Sequence, residues 1–433
     1  MKKIKTSVKW ILLVLFFLFQ FLAAMITYWF LRPYQPRLNP KLSIKHWTII
    51  NDGAHNSCTD MTFFKGYYYL AFVSAPSHAG SHHSKVILKR SKDLSNWENT
   101  ATFALPDEDI RDPKLTPVGN RLFLYVLKNK SALAQPYITI YSYSTNGTKW
   151  SLFKNILYKN FSPKGLLFWR PKTRDQKTWY VPAYKNDNSF AALLKSTDGI
   201  TWEFVSHIYN LPGIDETSIE FMKNGDLIGT IRMEVFADSP LGNNNSGTII
   251  FHSKPPYQKY NYSKDKMTRL DGPVLFRIQD KVYASGRYQP DRDMIFAVNG
   301  SALSKKRTAL FLVEPKKLSY LSEFPSTGDT SYPGVVFYKD SVYLSYYTSD
   351  LGTDYPWVLG MIKRSDIRMV KISQNKLIEA GKSPLKPYRE TPAGYPVFVI
   401  LLILNILIRV LVKKKKRKKK QKELEISDYF AKH

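Results

Sequence analysis

Two long apolar runs lie near the ends of the chain. Residues 10–31 contain no charged side chain, and residues 393–412 contain a single charged side chain, Arg409. A helix rises ~1.5 Å per residue, so each run spans ~30 Å, about the thickness of a hydrocarbon core. Arg409 can extend its long side chain to the membrane interface. The pattern therefore predicts a transmembrane helix at each end of the chain.

The residues that flank these runs predict the topology. The first run ends in Trp29-Phe30-Leu31 without a small-x-small cleavage site, which favours an uncleaved anchor over a signal peptide. Lysines precede the first run, and eight basic residues, 413–420, follow the second. Because basic residues beside a span stay on the cytoplasmic side, we predict a two-pass membrane protein with both termini in the cytoplasm. The predicted segments are a cytoplasmic N-terminus (1–9), a span (10–31), a linker (32–50), an extracytoplasmic domain (51–375), a linker (376–392), a span (393–412) and a basic cytoplasmic tail (413–433).

Between the two runs, short segments that alternate polar and apolar residues predict β-strands. Three similar turns follow such strands, at residues 91–97, 144–150 and 196–202, with spacings of 53 and 52 residues. Each turn begins with Ser, has Asp or Asn at its third position and ends in Trp, so the polar residue can bond the turn backbone while Trp packs on the sheet. A unit repeated at this period is typical of the four-stranded blade of a β-propeller.

A second repeat predicts the number of blades. A polar entry, an apolar strand, a turn and an aromatic strand recur six times, with entries at positions 60, 112, 170, 216, 271 and 332. We therefore predict an all-β fold, a six-bladed β-propeller flanked by N- and C-terminal transmembrane helices. The entry side chains of such a ring are expected to point into its central funnel.

The net charge limits the binding partners that the chain can have, and the cysteine content limits its disulfide bonds. The chain carries a net charge of +29. The first nine residues contribute +4 and the tail from Arg409 contributes +8, which leaves +17 on the remainder. A basic surface attracts anionic glycans, and the tail is expected to bind anionic membrane lipids. No aromatic-basic motif suggests nucleic acid. The single cysteine, Cys58, excludes an intrachain disulfide.

The turns and the fourth blade resemble those of the sialidase (neuraminidase) superfamily. Ser196-Thr197-Asp198-Gly199-Ile200-Thr201-Trp202 reads as the Asp-box, or BNR repeat, of that superfamily. In its fourth blade the superfamily has a glutamate, an apolar strand, an Asx-Gly turn, and an arginine sixteen residues after the glutamate. Glu216 and Arg232 stand at that spacing here.

The resemblance also implies roles for individual residues. Tyr332 opens the sixth blade and would be the nucleophile, with Glu216 as its base. A neutral tyrosine suits an anionic sugar, because a carboxylate nucleophile would be repelled by the charge of the substrate. Arg232 and Arg287 would grip the substrate carboxylate through paired hydrogen bonds.

Two features of the superfamily are missing. Its first blade begins with an arginine, where this chain has Cys58-Thr59-Asp60, so Arg111 or Arg170 would have to supply the third arginine. Its acid aspartate lies in the loop after the first hairpin, which here contains His78, His82 and His83 and no aspartate. A histidine of this loop could act as the acid or bind a metal ion. The favoured interpretation is a polar loop, with no metal and no cofactor.

A second catalytic set is also visible. Asp60, Asp112 and Glu216 each open a blade, and Arg111-Asp112 resembles the second motif of arabinanase-like five-bladed glycosidases. Three carboxyl groups in the funnel could serve an inverting hydrolysis as base, modulator and acid. The structural alternative is that Asp60 and Asp112 cap strands or pair with Arg111 and Arg170.

We therefore predict a membrane-anchored, sialidase-like glycoside hydrolase that acts on extracellular or surface glycans, acidic sugars included. The alternative is a catalytically inactive propeller that binds glycans or proteins at the cell surface. The two differ in whether Glu216, Arg232, Arg287 and Tyr332 converge on one pocket with an acid within reach.

Overall fold

A computed structural model describes residues 2–79, 82–130, 137–161, 164–234, 241–294, 297–389, 404 and 406–414. The chain divides into two compact units. One unit is Arg32–Glu390, and the other comprises Met1–Leu31 and Thr391–His433.

The smaller unit contains one candidate membrane span. Helix α1 covers Lys2–Leu31, and its segment Lys9–Leu31 has a mean hydropathy of 2.4. Among the described residues it is the only helix long and apolar enough to cross a membrane, and a signal sequence would pass the same test. Most of the predicted second span falls outside the described residues, although 404 and 406–412 within it are helical. The structure thus shows one candidate span where the sequence predicts two.

The larger unit is built almost entirely of strands. A 3₁₀ helix (Pro40–Leu42), helix α2 (Trp357–Gly360) and helix α3 (Gln374–Ala380) are its helical segments among the residues described. The first fourteen strands are β1 (Lys45–Ile50), β2 (His55–Phe64), β3 (Tyr67–Ala75), β4 (Lys85–Ser91), β5 (Glu98–Phe103), β6 (Asp109–Val118), β7 (Arg121–Asn129), β8 (Ile138–Ser144), β9 (Lys154–Asn155), β10 (Leu157–Lys159), β11 (Leu166–Phe168), β12 (Lys172–Thr173), β13 (Trp179–Lys185) and β14 (Ala191–Ser196). The remaining strands are β15 (Thr201–Tyr209), β16 (Ile214–Phe221), β17 (Leu227–Met233), β18 (Gly247–Ser253), β19 (Tyr260–Asp265), β20 (Asp271–Ile278), β21 (Lys281–Tyr288), β22 (Asp293–Met294), β23 (Ala297–Val298), β24 (Arg307–Glu314), β25 (Lys317–Glu323), β26 (Thr330–Tyr338), β27 (Ser341–Ser349) and β28 (Ser365–Ser373).

These strands form antiparallel meanders in a propeller-like arrangement. Three sheets have four strands each, in the orders β6-β7-β8-β9, β16-β17-β18-β19 and β20-β21-β24-β25. A fourth sheet orders β10-β15-β14-β13-β11, with β12 also on β13. The largest sheet orders β26-β27-β28-β2-β3-β4-β5, and β28 joins β2 through the single parallel pair His55 and Ser365. Strand β1 also pairs with β28, so the N-terminal strand completes the C-terminal meander and links the two ends of the unit.

Burial falls from the first strand to the last in the meander β2-β3-β4-β5. Nearly every residue of β2 is buried, whereas β5 is exposed or half-buried throughout. The second strand, β3, reads as a nearly continuous apolar run, since both of its faces are covered. Tyr125, Trp169 and Trp202 are among the largest fully buried side chains.

The three repeated turns share one hydrogen-bond pattern. In the turn at 196–202, the Ser196 hydroxyl accepts from the backbone N–H of Gly199 at 2.9 Å, and the Asp198 carboxylate accepts from two further backbone N–H groups. The turns at 91–97 and 144–150 make the same bonds, with Asn146 in place of the aspartate in the second. The sequence analysis missed a fourth turn of this kind at 173–179, whose Thr173 and Asp175 make equivalent bonds.

Candidate active site

A two-residue bulge near the start of the inner strand shapes the site. In five inner strands the pairing register skips two residues. The skips lie between Ser57 and Asp60, between Arg111 and Lys114, between Ile214 and Thr217, between Asp271 and Val274, and between Ser331 and Gly334. The first bulged residue has a positive φ in four of these strands: Cys58 (53°), Asp112 (51°), Gly272 (62°) and Tyr332 (47°). Bulges redirect side chains, and backbone strain of this kind is concentrated at functional sites.

The bulges bring Tyr332 and Glu216 together. The Tyr332 hydroxyl donates a short hydrogen bond to Oε1 of Glu216, although the two residues are 116 positions apart. Oε2 of Glu216 accepts from the backbone N–H of Gly272 at 2.6 Å. Both residues are buried, and burial raises the pKa of the tyrosine and of the glutamate above their usual values. The carboxylate is therefore positioned to take the tyrosine proton.

Arg232 lies beside this pair but is already engaged by carboxylates. Its Nη1 is 2.9 Å from Oε1 of Glu216, and its Nη2 is 2.8 Å from Glu234. Its Nε also donates to Asp215 at 2.8 Å. Burial raises the pKa of Asp215 well above its usual value, despite the opposing effect of Arg232. Arg232 thus holds Glu216 in place. Most of its N–H groups already face carboxylates of the protein, so few are left to bind a substrate.

Arg287 is buried and bonded even more completely. It donates to the backbone oxygen of Thr330 at 2.8 Å, to Asp271 at 3.3 Å, to Asp329 at 3.1 Å and to the Tyr347 hydroxyl at 3.0 Å. These bonds use four of the five N–H groups of a guanidinium. The geometry therefore does not favour the predicted grip of Arg287 on a substrate carboxylate. Its guanidinium carbon lies 5.4 Å from the centre of the Tyr332 ring, where a cation stabilises negative charge on the phenol oxygen.

A small cavity of about 50 Å³ lies beside Tyr332. Its lining includes Cys58, His78, Arg111, Asp112 and Tyr332, so three of the bulged residues meet there. Oδ1 of Asp112 is buried and has no hydrogen-bond partner among the described residues. Arg111 is held by Asp109 at 2.6 Å, with its side chain 22% exposed. Arg111 and Asp112 are thus the predicted residues that face this cavity together with the nucleophile candidate.

Asp60 and Arg170 lie apart from the cavity lining and pair with each other. Oδ1 of Asp60 accepts from Nε of Arg170 at 2.8 Å, and Oδ2 accepts from the backbone N–H of Leu115 at 2.7 Å. Asp60 thus pairs with Arg170, which the sequence analysis gave as the alternative to a catalytic role. Its two oxygens hold neighbouring strands together. Arg170 instead lines a separate pocket of about 640 Å³, formed by later residues of the inner strands such as Met61 and Glu220.

Several charged residues of the site, buried or, for Glu234, half-buried, were missed by the sequence analysis. They belong to a network of charges around Arg232 and Arg287, which consists of Glu234, Arg269, Asp329 and Lys306. Asp271, which the sequence analysis noted only as a blade entry, belongs to the same network. Arg269 pairs with Asp271 at 2.8 Å and with Glu234 at 3.0 Å. Burial lowers the pKa of Lys306 to about 7. Nothing in the local sequence marks these residues, since their partners come from other strands.

The bulged inner strands thus bring a buried tyrosine and a buried glutamate together in a propeller-like unit. No family model matches this chain, and no curated protein sequence is detectably similar to it.

Solved structures share the fold at low sequence identity. A protein from Dyadobacter fermentans of unknown function has a TM-score of 0.55 and 17% identity, over 76% of this chain and 99% of that one. Phage phi92 endosialidase has a TM-score of 0.56 and 12% identity, over 77% of this chain and 69% of that one. Trypanosoma rangeli sialidase with 2,3-difluorosialic acid, a covalent intermediate, has a TM-score of 0.55 and 12% identity, over 80% of this chain and 61% of that one.

Proposed function

We propose that this protein is a glycoside hydrolase of the sialidase type with six four-stranded blades. The eight-stranded sheet counts as two blades, because one parallel pair alone joins its two meanders. The observation that supports the activity is the hydrogen bond between Tyr332 and Glu216 beside a cavity. A tyrosine with a raised pKa needs an adjacent base to become a nucleophile, and Glu216 is that base.

The proposed reaction proceeds in two steps through a glycosyl-tyrosine. In the first step, Oη of Tyr332 bonds to the anomeric carbon, its proton passes to Glu216, and the bond to the leaving oxygen breaks. Asp112, whose Oδ1 lacks a partner among the residues described, is the general acid that gives a proton to that oxygen. In the second step, Asp112 takes a proton from water as the water oxygen bonds to the anomeric carbon, the bond between that carbon and Oη of Tyr332 breaks, and Glu216 returns its proton to Tyr332.

The substrate is a glycan of the cell surface or its surroundings. Arg111 is the cation that lines the cavity, and it is the residue available to meet an acidic group of the sugar. Phage phi92 endosialidase and Trypanosoma rangeli sialidase share this fold, which supports a sialoside as the first substrate to test.

The test is an assay of the detergent-solubilised full chain on aryl glycosides, including an aryl sialoside. Tyr332→Phe should abolish turnover, and Glu216→Gln should reduce it by roughly 10²–10⁴-fold, the usual contribution of a general base. Tyr338→Phe is the matched control, because Tyr338 ends the same strand outside the cavity lining. A 2,3-difluoro sugar should add its mass to the tryptic peptide that contains Tyr332. Turnover that survives in Tyr332→Phe would refute the mechanism.

One observation favours the alternative, a propeller that binds glycans without cleaving them. Arg232 and Arg287 are occupied by internal carboxylates, so no open arginine clamp is present among the described residues. Under this alternative the wild-type chain turns over none of the glycosides but binds a glycan array, and Arg111→Ala weakens that binding.

We also propose that both apolar runs are membrane anchors with cytoplasmic ends. The length and hydropathy of Lys9–Leu31 support the first anchor, and the uncharged run before Arg409 with the basic residues after it supports the second. Intact mass should show that residues 1–31 are retained. A green fluorescent protein fused after His433 should fluoresce, whereas an alkaline phosphatase fused there should be inactive. The opposite reporter pattern would exclude the two-pass topology.

A further inference from the structure

Two histidines and an aspartate from distant parts of the larger unit converge beside the candidate active site. His55 begins β2, His78 lies in the loop after β3, and Asp329 immediately precedes β26. Nε2 of His55, Nδ1 of His78 and a carboxylate oxygen of Asp329 all lie within 4.8 Å of one another. Oδ2 of Asp329 is 3.1 Å from the first nitrogen and forms a hydrogen bond of 2.6 Å with the second.

The orientation of His55 indicates what this cluster holds. Its Nδ1 lies 2.7 Å from the backbone oxygen of Lys363, which can only accept, so Nδ1 carries a proton and donates it there. In the neutral ring Nε2 then presents a lone pair to the cluster. His55 is 1% exposed, and its Nε2 has no hydrogen bond of acceptable geometry to any described residue.

Nε2 lies 3.1 Å from Oδ2 of Asp329, within ion-pair distance but out of line for a hydrogen bond. A metal ion between the three groups would give the lone pair of Nε2 a partner. Tetrahedral ligand atoms ~2.0–2.1 Å from zinc lie somewhat over 3 Å apart, so the separation of Nε2 and Oδ2 already fits, whereas Nδ1 of His78 and Oδ2 would have to move apart by about 0.5 Å.

The surroundings match those of a metal centre. Metal-binding histidines usually donate their other N–H to a backbone carbonyl or carboxylate, as His55 does. Oδ1 of Asp329 accepts from Trp357 at 2.9 Å, and also from Arg287 and Tyr347 at 3.1 Å each. These bonds fix the carboxylate through Oδ1, while Oδ2 faces the two histidines. The loop is held as well, since the His78 backbone N–H donates to the oxygen of Met361 at 2.8 Å.

We propose that His55, His78 and Asp329 bind a divalent transition-metal ion, Zn²⁺ before others, with a fourth position left for water. Two imidazole nitrogens and one carboxylate suit zinc, whereas Mg²⁺ and Ca²⁺ select oxygen ligands. The ion fastens the loop of His78, a cavity residue, to the segment that leads into Tyr332. The site revises the sequence-based expectation of no metal, and it does not depend on glycosidase activity.

Metal content of the purified full chain tests the proposal. The chain is prepared in detergent without a polyhistidine tag, equilibrated with Zn²⁺, dialysed and measured by mass spectrometry of the metal. We expect one zinc per chain. His55→Gln and His78→Gln should each weaken zinc binding at least about tenfold. His82→Gln is the matched control, since His82 lies in the same loop but outside the cluster, with its ring centre 3.9 Å from that of His83. This variant should bind zinc as the wild type does.

A second measurement keeps the test decisive if a variant does not fold. Cobalt(II) bound to the wild-type chain should show the intense visible absorption of a tetrahedral nitrogen-oxygen site, and zinc should displace it. A wild-type chain that holds no more zinc than a His55→Gln/His78→Gln double variant overturns the proposal. So does a weak octahedral cobalt spectrum, or zinc that is lost in His82→Gln but kept in His78→Gln.

Discussion

A single methyl group at Gly272 should displace the proposed nucleophile. Gly272 has a φ of +62°, and its backbone N–H donates to Glu216. A Cβ built at this position would lie 2.5 to 2.9 Å from three ring carbons of Tyr332. Carbon atoms pack best at about 3.5–4.0 Å, so the ring would have to move by about 1 Å.

The magnitude follows from two separate effects. An alanine at a left-handed φ costs about 1–2 kcal/mol, part of which is offset by the lower entropy of the unfolded chain. Overpacking in a filled interior adds about 1–3 kcal/mol. A displacement of about 1 Å at a reacting group also costs about a hundredfold in rate. Gly272→Ala should therefore lose both stability and turnover.

Gly119→Ala is the matched control. Gly119 has a φ of +56° in the turn between β6 and β7, and nothing lies within 4 Å of the Cβ it would gain. It should show the backbone cost alone, about 1 kcal/mol, with unchanged turnover. The assay is urea unfolding followed by tryptophan fluorescence, together with glycoside turnover. If the two variants are equally stable and equally active, the contact between Gly272 and Tyr332 is not as described.

Three further predictions follow from other parts of the molecule. Burial raises the pKa of Glu216, and only its ionised form can accept a proton. The pKa that describes the acidic limb of the pH profile of kcat/KM should therefore lie above the usual glutamate value of 4.5, and this limb should disappear in Glu216→Gln. A pKa at or below 4.5 would contradict this. Burial lowers the pKa of Lys306 to about 7, so the unfolded chain binds more protons between about pH 7 and 10.5, and wild-type stability should rise over that range. Lys306→Met should therefore raise the melting temperature more at pH 6 than at pH 9, and an equal change at both values would exclude a buried titrating lysine. Asp93→Ala removes an acceptor of two backbone N–H groups and should cost about 1 kcal/mol in unfolding free energy, whereas Asp93→Asn should retain most of it; equal losses would show that these bonds do not hold the turn.

Periodic features of the sequence predicted the propeller-like arrangement well. The spacing of the turns reflects one hydrogen-bond pattern, which depends on a few residues within the turn itself. The turn at 173–179 was missed because it follows the two-residue strand β12, and the residues directly before it, Arg170-Pro171-Lys172, do not form an apolar run. Its Thr-x-Asp-x-x-Thr-Trp pattern was nevertheless present in the sequence.

The site could be predicted only in part. Tyr332 and Glu216 were predicted from the resemblance of the fourth and sixth blades to those of sialidases, and both lie at bulges of inner strands. Whether an arginine is free for a substrate depends instead on carboxylates contributed by other strands. Arg287 is held by Asp271 and Asp329, and no local pattern indicates those contacts. The pairing of His55 with Asp329 was equally inaccessible, because the two residues lie far apart in the sequence.

Two sets of charges bear on the choice of substrate: the net charge of the whole domain and the few charged groups that line the cavity. The net charge of +17 on the part of the chain between the terminal basic segments attracts polyanions over a Debye length of about 10 Å or less in salt. At the cavity itself, Arg111 is the cation of the lining, and Asp112 beside it, with its unpaired oxygen, offers no positive charge. An acidic sugar is therefore attracted to the surface but gains affinity in the cavity only through Arg111. Raising the salt concentration should weaken the capture of acidic glycans while leaving turnover of a neutral aryl glycoside unchanged, so the salt dependence separates recognition by the surface from recognition by the site.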